Sequence, residues 1–171
     1  MNVRAVLIGP PGAGKTSVGT ALARAWGVAF RDTDVDVERG AGMSVADIFV
    51  TQSEAAFREL ERDALVKALQ EHDGVLSVGG GAPLHPLSQD DLRSYAAGGG
   101  TVVFLDVSLA AVAPRVGLNA SRPLLVGNPR QQWLALMKDR RPVYESLATV
   151  TVLTDDLTPD QVAQQIMEKN A

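Results

Sequence analysis

The sequence predicts an α/β domain in which a parallel β-sheet is covered by helices on both faces. Short apolar runs typical of buried strands alternate with longer segments of helical spacing, and Gly or Pro residues separate many of them. The length of 171 residues suits a single domain, which we take to comprise the whole chain. Ligands of such sheets bind at the carboxyl ends of the strands, so functional residues are expected in the segments that follow the strands.

The first half of the chain is predicted to contain three strands that alternate with helices. Continuous apolar runs indicate the strands, because both faces of a parallel sheet are buried, and apolar residues three or four apart indicate the helices. In chain order these elements are the strand 3–8, the helix 15–26, the short strand 28–30, a helix from Ser44 to Val50, the helix 54–71 and the strand 75–78.

The second half is predicted to continue the alternation after a long loop. The loop is dense in Gly, Pro and Asn, and its length in a compact domain favours a functional role. The final helix is expected to start with Pro at its first position, where no backbone N–H is needed. In chain order these elements are the strand 101–107, the loop 115–129, a helix around 131–140, the strand 149–153 and the helix that begins at Pro159.

The segment 9–16, GPPGAGKT, fits the pattern G-x-x-x-x-G-K-[ST] of the phosphate-binding P-loop. Its context is the required one, since a predicted strand precedes it and a predicted helix follows. Gly12 and Gly14 allow a positive φ and a close approach of backbone N–H groups to phosphate. Lys15 supplies a positive charge for the β- and γ-phosphates, and Thr16 supplies a hydroxyl for Mg²⁺.

Asp32 and Asp34 follow the second predicted strand and are expected to lie beside the P-loop. If the backbone there is extended, both side chains point to one side. Asp32 could then hold Mg²⁺ through its water shell, and Asp34 could orient or deprotonate an attacking hydroxyl. The alternative is a helix N-cap or a solvated turn, since Asp is common in both.

Arginines and glycines elsewhere complete the set of candidates. Arg58, on the helix 54–71, is suited to bidentate binding of a carboxylate, and the alternative is an ordinary surface arginine. The triple glycine 79–81 leaves room for a small ligand against backbone, or it is only a turn. The remaining candidate arginines, which could close over ATP or simply be solvated, are Arg115, Arg122 and Arg140.

Composition excludes several classes of function. The absence of cysteine excludes disulfides, thiolate metal sites and a cysteine nucleophile. A net charge of −4 without a basic stripe argues against nucleic acid as a partner. The chain contains no apolar run long enough to span a bilayer, and its first residues do not form a signal peptide. We therefore expect a cytoplasmic monomer that contacts neither nucleic acid nor membrane.

In these residues the chain resembles the bacterial shikimate kinases, from Val3 to about Leu153. The P-loop alone is shared by many nucleotide-binding families, whereas the ordered set of segments is much more specific. The segments that carry the resemblance are the loop 9–16, Asp32-Thr33-Asp34, residues 44–49, Phe57-Arg58-Glu59, Gly79-Gly80-Gly81, residues 122–125 and residues 140–144.

The resemblance implies a three-layer P-loop kinase fold with a central five-stranded parallel sheet, a substrate-binding region over about 33–61 and a mobile lid over about 112–127. It implies ATP-dependent phosphorylation of shikimate at its 3-hydroxyl, in the pathway to chorismate and the aromatic amino acids. Mg²⁺ is the implied cofactor, with Thr16 as ligand and Asp32 as a contact through water. The implied catalytic residues are Asp34, Lys15 and Arg122.

The resemblance also implies two sets of binding residues. Arg115 is expected to stack on adenine, and Arg58 and Arg140 are expected to grip the shikimate carboxylate. The implied ATP-binding residues are Gly12, Ala13, Gly14, Lys15, Thr16, Ser17, Arg115 and Arg122. The implied shikimate-binding residues are Asp34, Phe49, Phe57, Arg58, Gly79, Gly80, Gly81 and Arg140.

Two other functions and one departure from the family pattern stay open at this point. A kinase for another small hydroxylated acid, such as gluconate, would have a similar P-loop and lid but a different acceptor pocket. The other function is a nucleotide-binding regulatory module without turnover, against which the intact Lys15, Thr16, Asp32 and Asp34 argue. Many relatives carry an arginine after the last strand, near the adenine, where this chain has Thr154-Asp155-Asp156. Negative charge there could weaken ATP binding or change nucleotide preference.

Overall fold

The computed structural model describes residues 2–117 and 128–171 and contains a parallel sheet of five strands in the order β2-β3-β1-β4-β5. This confirms the predicted fold class. The strand order places β1, with the P-loop at its carboxyl end, in the middle of the sheet. The strands are β1 (Ala5–Ile8), β2 (Ala29–Asp32), β3 (Gly74–Ser77), β4 (Val102–Asp106) and β5 (Val150–Leu153).

Eight α-helices and one 3₁₀ turn connect the strands in the described part of the chain. The predicted bounds of the helices 15–26 and 54–71 are confirmed, as is Pro159 in the first turn of the last helix. The helices are α1 (Lys15–Trp26), α2 (Thr33–Ala41), α3 (Val45–Thr51), α4 (Glu54–Glu71), α5 (Pro86–Ala97), α6 (Leu109–Arg115), α7 (Pro129–Leu147) and α8 (Pro159–Lys169), and the 3₁₀ turn is Ala82–Leu84.

Several helices differ from the sequence prediction in their existence or their boundaries. Helix α2 starts at Thr33, directly after β2, because Asp32 both ends the strand and caps the helix. Helices α2, α5 and α6 were not predicted, and α6 ends at Arg115, the first residue of the expected 115–129 loop. Helix α7 continues past Pro142 to Leu147, because its last two turns bury Tyr144 and Leu147. Burial of these side chains outweighs the backbone hydrogen bond that proline removes.

Two hydrophobic cores hold the chain together. The larger core surrounds the sheet, in which β1 and β3 are buried along their whole length. The smaller core consists of Val37, Ile48 and Phe57, which come from α2, α3 and α4. It keeps these three helices together beside the carboxyl end of the sheet. Among the described helices, none has the length and apolar character needed to cross a membrane.

Candidate active site

A cavity of about 340 Å³ opens at the carboxyl ends of the central strands. A second cavity, of about 210 Å³, shares Gly14, Ser17 and Arg115 with the first and extends toward Thr154 and Leu157. The two together form one cleft along the P-loop. The residues that line the first cavity are Gly12, Gly14, Lys15, Thr16, Ser17, Asp32, Asp34, Ser77, Val78 and Arg115.

The P-loop takes the backbone conformation that its glycines were predicted to allow. Gly12 has φ of 84° and Gly14 has φ of 90°, both in the region that favours glycine. A β-carbon at Gly12 would lie 2.5 Å from the Val112 side chain and 2.6 Å from that of Val116. Helix α1 begins immediately after Gly14, so its unpaired N–H groups and its positive dipole end face the cavity.

Lys15 lies at the base of the first cavity and folds back on the P-loop. Its Nζ donates to the carbonyl oxygens of Gly9, at 2.8 Å, and Pro10, at 3.1 Å. Burial lowers the pKa of Lys15 to about 8, although the nearby carboxylates of Asp34 and Asp32 act in the opposite direction. The P-loop carbonyl oxygens thus fix the ammonium group beside the cavity, where it could bind an anion. An incoming phosphate would favour the charged form of Lys15.

Asp32 and Asp34 both reach the P-loop, but by a different geometry from the predicted one. Extended backbone through both residues was wrong, because Asp34 lies in the first turn of α2. Oδ1 of Asp32 accepts a hydrogen bond from the Asp34 backbone N–H at 2.9 Å, as a helix N-cap. Oδ2 of Asp32 accepts one from the Thr16 hydroxyl at 3.3 Å. Asp32 therefore caps the helix and contacts the P-loop at the same time.

Asp34 has the properties of a group that can exchange a proton near neutral pH. Its Oδ1 is buried without a hydrogen-bond partner among the described residues. Its pKa is raised to about 6, chiefly by burial and also by the carboxylates of Asp32 and Glu61, while Lys15 opposes the rise. A buried, unpartnered carboxylate oxygen beside the phosphate loop is a candidate acceptor for a substrate hydroxyl.

The triple glycine lets charged side chains approach the backbone that follows β3. A β-carbon at Gly79 would lie 2.6 Å from Oε2 of Glu61 and 2.8 Å from Oδ1 of Asp34. One at Gly80 would lie 3.1 Å from Nη1 of Arg140, and one at Gly81 would overlap the Arg58 guanidinium. The segment is therefore a surface on which two carboxylates and two guanidinium groups converge.

Glu61 belongs to this cluster and was missed by the sequence reasoning. It is 3% exposed, and its Oε1 accepts a hydrogen bond from Nη1 of Arg58 at 2.7 Å. Burial raises the pKa of Glu61, and the bond from Arg58 opposes the rise. The only signal in the sequence is the spacing of three residues from Arg58 on one helix, which is common on helix surfaces.

The remaining predicted residues lie at different places around the P-loop and Arg58, or outside the described residues. The rings of Phe49 and Phe57 pack at 4.8 Å between centroids, beside Arg58. Arg115 contacts the P-loop through a hydrogen bond from Nη1 to the Gly12 carbonyl oxygen, at 3.2 Å. Arg122 lies outside the described residues, as does most of the predicted lid.

The acidic pair after β5 has a structural partner. Oδ1 of Asp155 accepts a hydrogen bond from the backbone N–H of Ser108 at 3.0 Å, next to the start of α6. Thr154 lines the second cavity, and its hydroxyl donates to the Asp106 carbonyl oxygen at 2.9 Å. Asp155 therefore joins two loops at this end of the sheet.

Comparison with known protein families shows the family to which the chain belongs. The model of the shikimate kinase family matches residues 11–171, which include most of the P-loop and all the other site residues. The chain belongs to the shikimate kinase family. The shikimate kinase of Thermobifida fusca is 51% identical over 165 residues, covering 96% of this chain and 93% of that protein. The shikimate kinase of Rhodococcus jostii is 44% identical over 172 residues, covering 100% and 99%.

Solved structures of shikimate kinases have the same architecture. A shikimate kinase from Acinetobacter baumannii in complex with shikimate superposes with a TM-score of 0.87 at 33% identity, covering 98% of this chain and 92% of that one. The enzyme from Aquifex aeolicus superposes with a TM-score of 0.77 at 30% identity. A gluconokinase from Sinorhizobium meliloti, at 21% identity and a TM-score of 0.59, shares the fold alone.

Proposed function

We propose that this chain transfers the γ-phosphoryl group of ATP to the 3-hydroxyl of shikimate, giving shikimate 3-phosphate and ADP in the pathway to chorismate. One observation carries the proposal: Asp34, Arg58 and Arg140 converge on the triple glycine beside the P-loop. The acceptor is a carboxylate that also bears hydroxyls. Its recognition requires cations for the acid and a carboxylate for the hydroxyls, and this cluster contains both.

On the nucleotide side, the P-loop would bind the triphosphate. Gly12, Gly14, Lys15, Thr16 and Ser17 line the first cavity, where the free backbone N–H groups at the start of α1 and the Lys15 ammonium would meet the β- and γ-phosphates. The second cavity would hold the adenine between Arg115 and the segment from Thr154 to Leu157. Arg122 would reach the γ-phosphate from the lid over about 112–127, a role that rests on the sequence alone.

The residues at the helix starts fit a Mg²⁺ ion. Thr16 Oγ1 and Asp32 Oδ2 lie 3.3 Å apart at the edge of the phosphate site, and both are hard oxygen donors. A site with only one or two protein ligands suits Mg²⁺, because the ion keeps several of its waters. Thr16 would bind the ion directly and Asp32 through water. Bound there, the ion would neutralise charge on the β- and γ-phosphates.

On the acceptor side, the proposal assigns a role to each member of the cluster. Arg58 and Arg140 would bind the carboxylate of shikimate, since a guanidinium matches a carboxylate in a bidentate geometry. Gly79, Gly80 and Gly81 would form the floor of the pocket, and Phe49 and Phe57 its apolar wall. This assigns substrate binding to the region 33–61, together with the loop after β3 and helix α7.

Asp34 would accept a hydrogen bond from the 3-hydroxyl and take its proton as the phosphoryl group transfers. With a pKa of about 6, Asp34 is mostly ionised at neutral pH and is a stronger base than an exposed aspartate. Lys15 and Arg122 would stabilise negative charge on the transferring group. We further propose that the chain is a cytoplasmic monomer, and its net charge of −4 supports the absence of nucleic-acid partners.

A coupled assay of ADP release with Mg-ATP tests the proposal. Three reactions are compared, with shikimate, with gluconate and without acceptor, and phosphorus NMR of the product identifies the hydroxyl that is phosphorylated. We expect ADP release with shikimate only. Release with gluconate would retain phosphoryl transfer and overturn the acceptor, whereas ATP binding without turnover would favour a nucleotide-binding module.

A further inference from the structure

Tyr144 is a buried residue of α7 to which the reaction assigns no role. Its side chain is fully buried, and its ring packs against Phe104 of β4 at 5.1 Å between centroids. Its hydroxyl donates a hydrogen bond of 2.6 Å to the carbonyl oxygen of Gly80. A buried phenol hydroxyl needs a hydrogen-bond partner, and here that partner is the backbone of the loop that follows β3.

The same hydroxyl lies next to Arg140. Tyr144 follows Arg140 by one helical turn, so the two side chains lie on the same side of α7. Burial raises the pKa of Tyr144, and the charge of the Arg140 guanidinium acts in the opposite direction. The phenol therefore keeps its proton and remains a donor at neutral pH.

Gly80 and Arg140 meet at this point. A β-carbon at Gly80 would lie 3.1 Å from Nη1 of Arg140, so the guanidinium rests close to the glycine backbone. Among the described residues, Arg140 forms no ion pair with a carboxylate. Its position therefore depends on this contact, on helix α7 and on the neighbouring Tyr144 hydroxyl, which interacts with the guanidinium.

We propose that Tyr144 is a positioning residue for acceptor binding. Tyr144 joins the Gly80 backbone to helix α7 and thereby sets the position of Arg140 over the pocket floor. The inference rests on the proposed function, because it assigns Arg140 to the acceptor carboxylate. Tyr144 does not touch the acceptor. Its effect passes through the two groups that do, and a displacement of these groups by about 1 Å is enough to weaken binding strongly.

Tyr95 provides a matched control. It is the other of the two tyrosines in the chain, and its hydroxyl also donates to a backbone carbonyl, that of Val3, at 2.9 Å. It also accepts a hydrogen bond from the Thr101 N–H at 3.2 Å. These partners precede β1 and β4, at the end of the sheet opposite to the P-loop. Tyr95→Phe therefore removes a similar bond far from the site.

The test compares Tyr144→Phe, Tyr95→Phe and the unchanged chain in steady-state kinetics. For Tyr144→Phe we expect the KM for shikimate to rise roughly fivefold to tenfold, because the substitution removes about one hydrogen bond. The KM for ATP should stay within about twofold of its value in the unchanged chain. For Tyr95→Phe we expect neither KM to change. Equal effects of the two variants, or an equal rise of both KM values in Tyr144→Phe, would reduce Tyr144 to a structural residue and overturn the proposal.

A double-mutant cycle with Arg140→Lys tests the path of the effect. Calorimetric titration with shikimate, without nucleotide, gives the Kd for each variant. If Tyr144 acts through Arg140, Tyr144→Phe weakens binding in the Arg140→Lys background by less than half of its effect alone. Fully additive effects would contradict the proposal. If the unchanged chain neither binds nor phosphorylates shikimate, the proposed function itself is refuted. If the unchanged chain turns shikimate over normally and Tyr144→Phe has no effect, only the role of Tyr144 is refuted.

Discussion

The Arg58 guanidinium and the Glu61 carboxylate form an ion pair, with 2.7 Å between Nη1 and Oε1, against the triple glycine. The Glu61 side chain is 4% exposed and that of Arg58 is 26% exposed, so solvent screens the pair only partly. The proposed acceptor pocket thus contains a cation that already has a buried carboxylate partner. This partner holds the guanidinium in place before the carboxylate of the acceptor arrives.

Replacement of Glu61 should weaken acceptor binding and stability together. For Glu61→Ala we expect a tenfold or larger rise in the KM for shikimate and a loss of about 2 kcal/mol in the free energy of unfolding, since Arg58 loses its buried partner. Kinetics and urea denaturation measure the two effects. Glu54→Ala is the control, because Glu54 lies 3.6 Å from Arg58 with a side chain 70% exposed and should change little. Similar results for both variants would contradict the special role of Glu61.

The pKa of Asp34 predicts an acidic limb in the rate profile. Since burial raises this pKa to about 6, kcat/KM should fall as pH decreases below about 6, because protonated Asp34 cannot accept the hydroxyl proton. Asp34→Asn should lose about 100-fold or more in kcat. The control is Asp36→Asn, on the same helix, whose carboxylate is bound to Arg31 at 2.6 Å. A near-normal rate for Asp34→Asn would exclude Asp34 as the base.

The same shift predicts that Asp34 destabilises the fold above pH 6. Its pKa rises from 3.8 when unfolded to about 6 when folded, so the folded state binds more protons between these values. The free energy of unfolding therefore falls as pH rises through this window and levels off above it. Asp34→Asn should raise that free energy by about 1–3 kcal/mol at pH 7 and leave it unchanged near pH 3. Urea denaturation at both pH values measures the difference, and an equal effect at both would contradict the linkage.

The close approach of Arg58 to Gly81 predicts a steric effect at that glycine. The backbone of Gly81 has φ of −91°, which alanine adopts without strain, so Gly81→Ala acts only through its β-carbon. We expect a tenfold or larger rise in the KM for shikimate, because the guanidinium must move, with the KM for ATP unchanged. Gly40→Ala is the control, since a β-carbon there meets no atom within 4 Å. An unaltered KM for shikimate would show that Arg58 can relocate freely.

Asp32 allows a test of the metal role apart from the capping role. Asn is as good an N-cap as Asp, so Asp32→Asn should keep α2 and the Tm. The loss of the charge should raise the Mg²⁺ concentration needed for half-maximal rate roughly tenfold. Activity titrated with Mg²⁺ at saturating ATP and shikimate gives this value. If Asp32→Asn leaves the Mg²⁺ requirement unchanged, Asp32 is a cap only.

The sequence predicts those parts of the molecule that local signals specify. Helix α4 begins after Ser53, whose side chain caps it, and the P-loop conformation follows from its glycines. A helix N-cap at Asp32 was only the alternative reading of the sequence, because Asp32 both ends β2 and caps α2 with no breaker between the two elements. Glu61 was missed because its burial depends on Gly79, a residue distant in sequence that only tertiary packing brings close.

The two sides of the acceptor pocket differ in how firmly the chain holds them. The floor follows β3, which is buried along its whole length, whereas α3, which carries Phe49, buries only Ile48. Local opening of α3 therefore costs much less free energy than unfolding of the sheet. A ligand that contacts Phe49 adds its binding free energy to this weakly held helix. Occupancy of the proposed pocket would thus stabilise α3 more than the floor that follows β3.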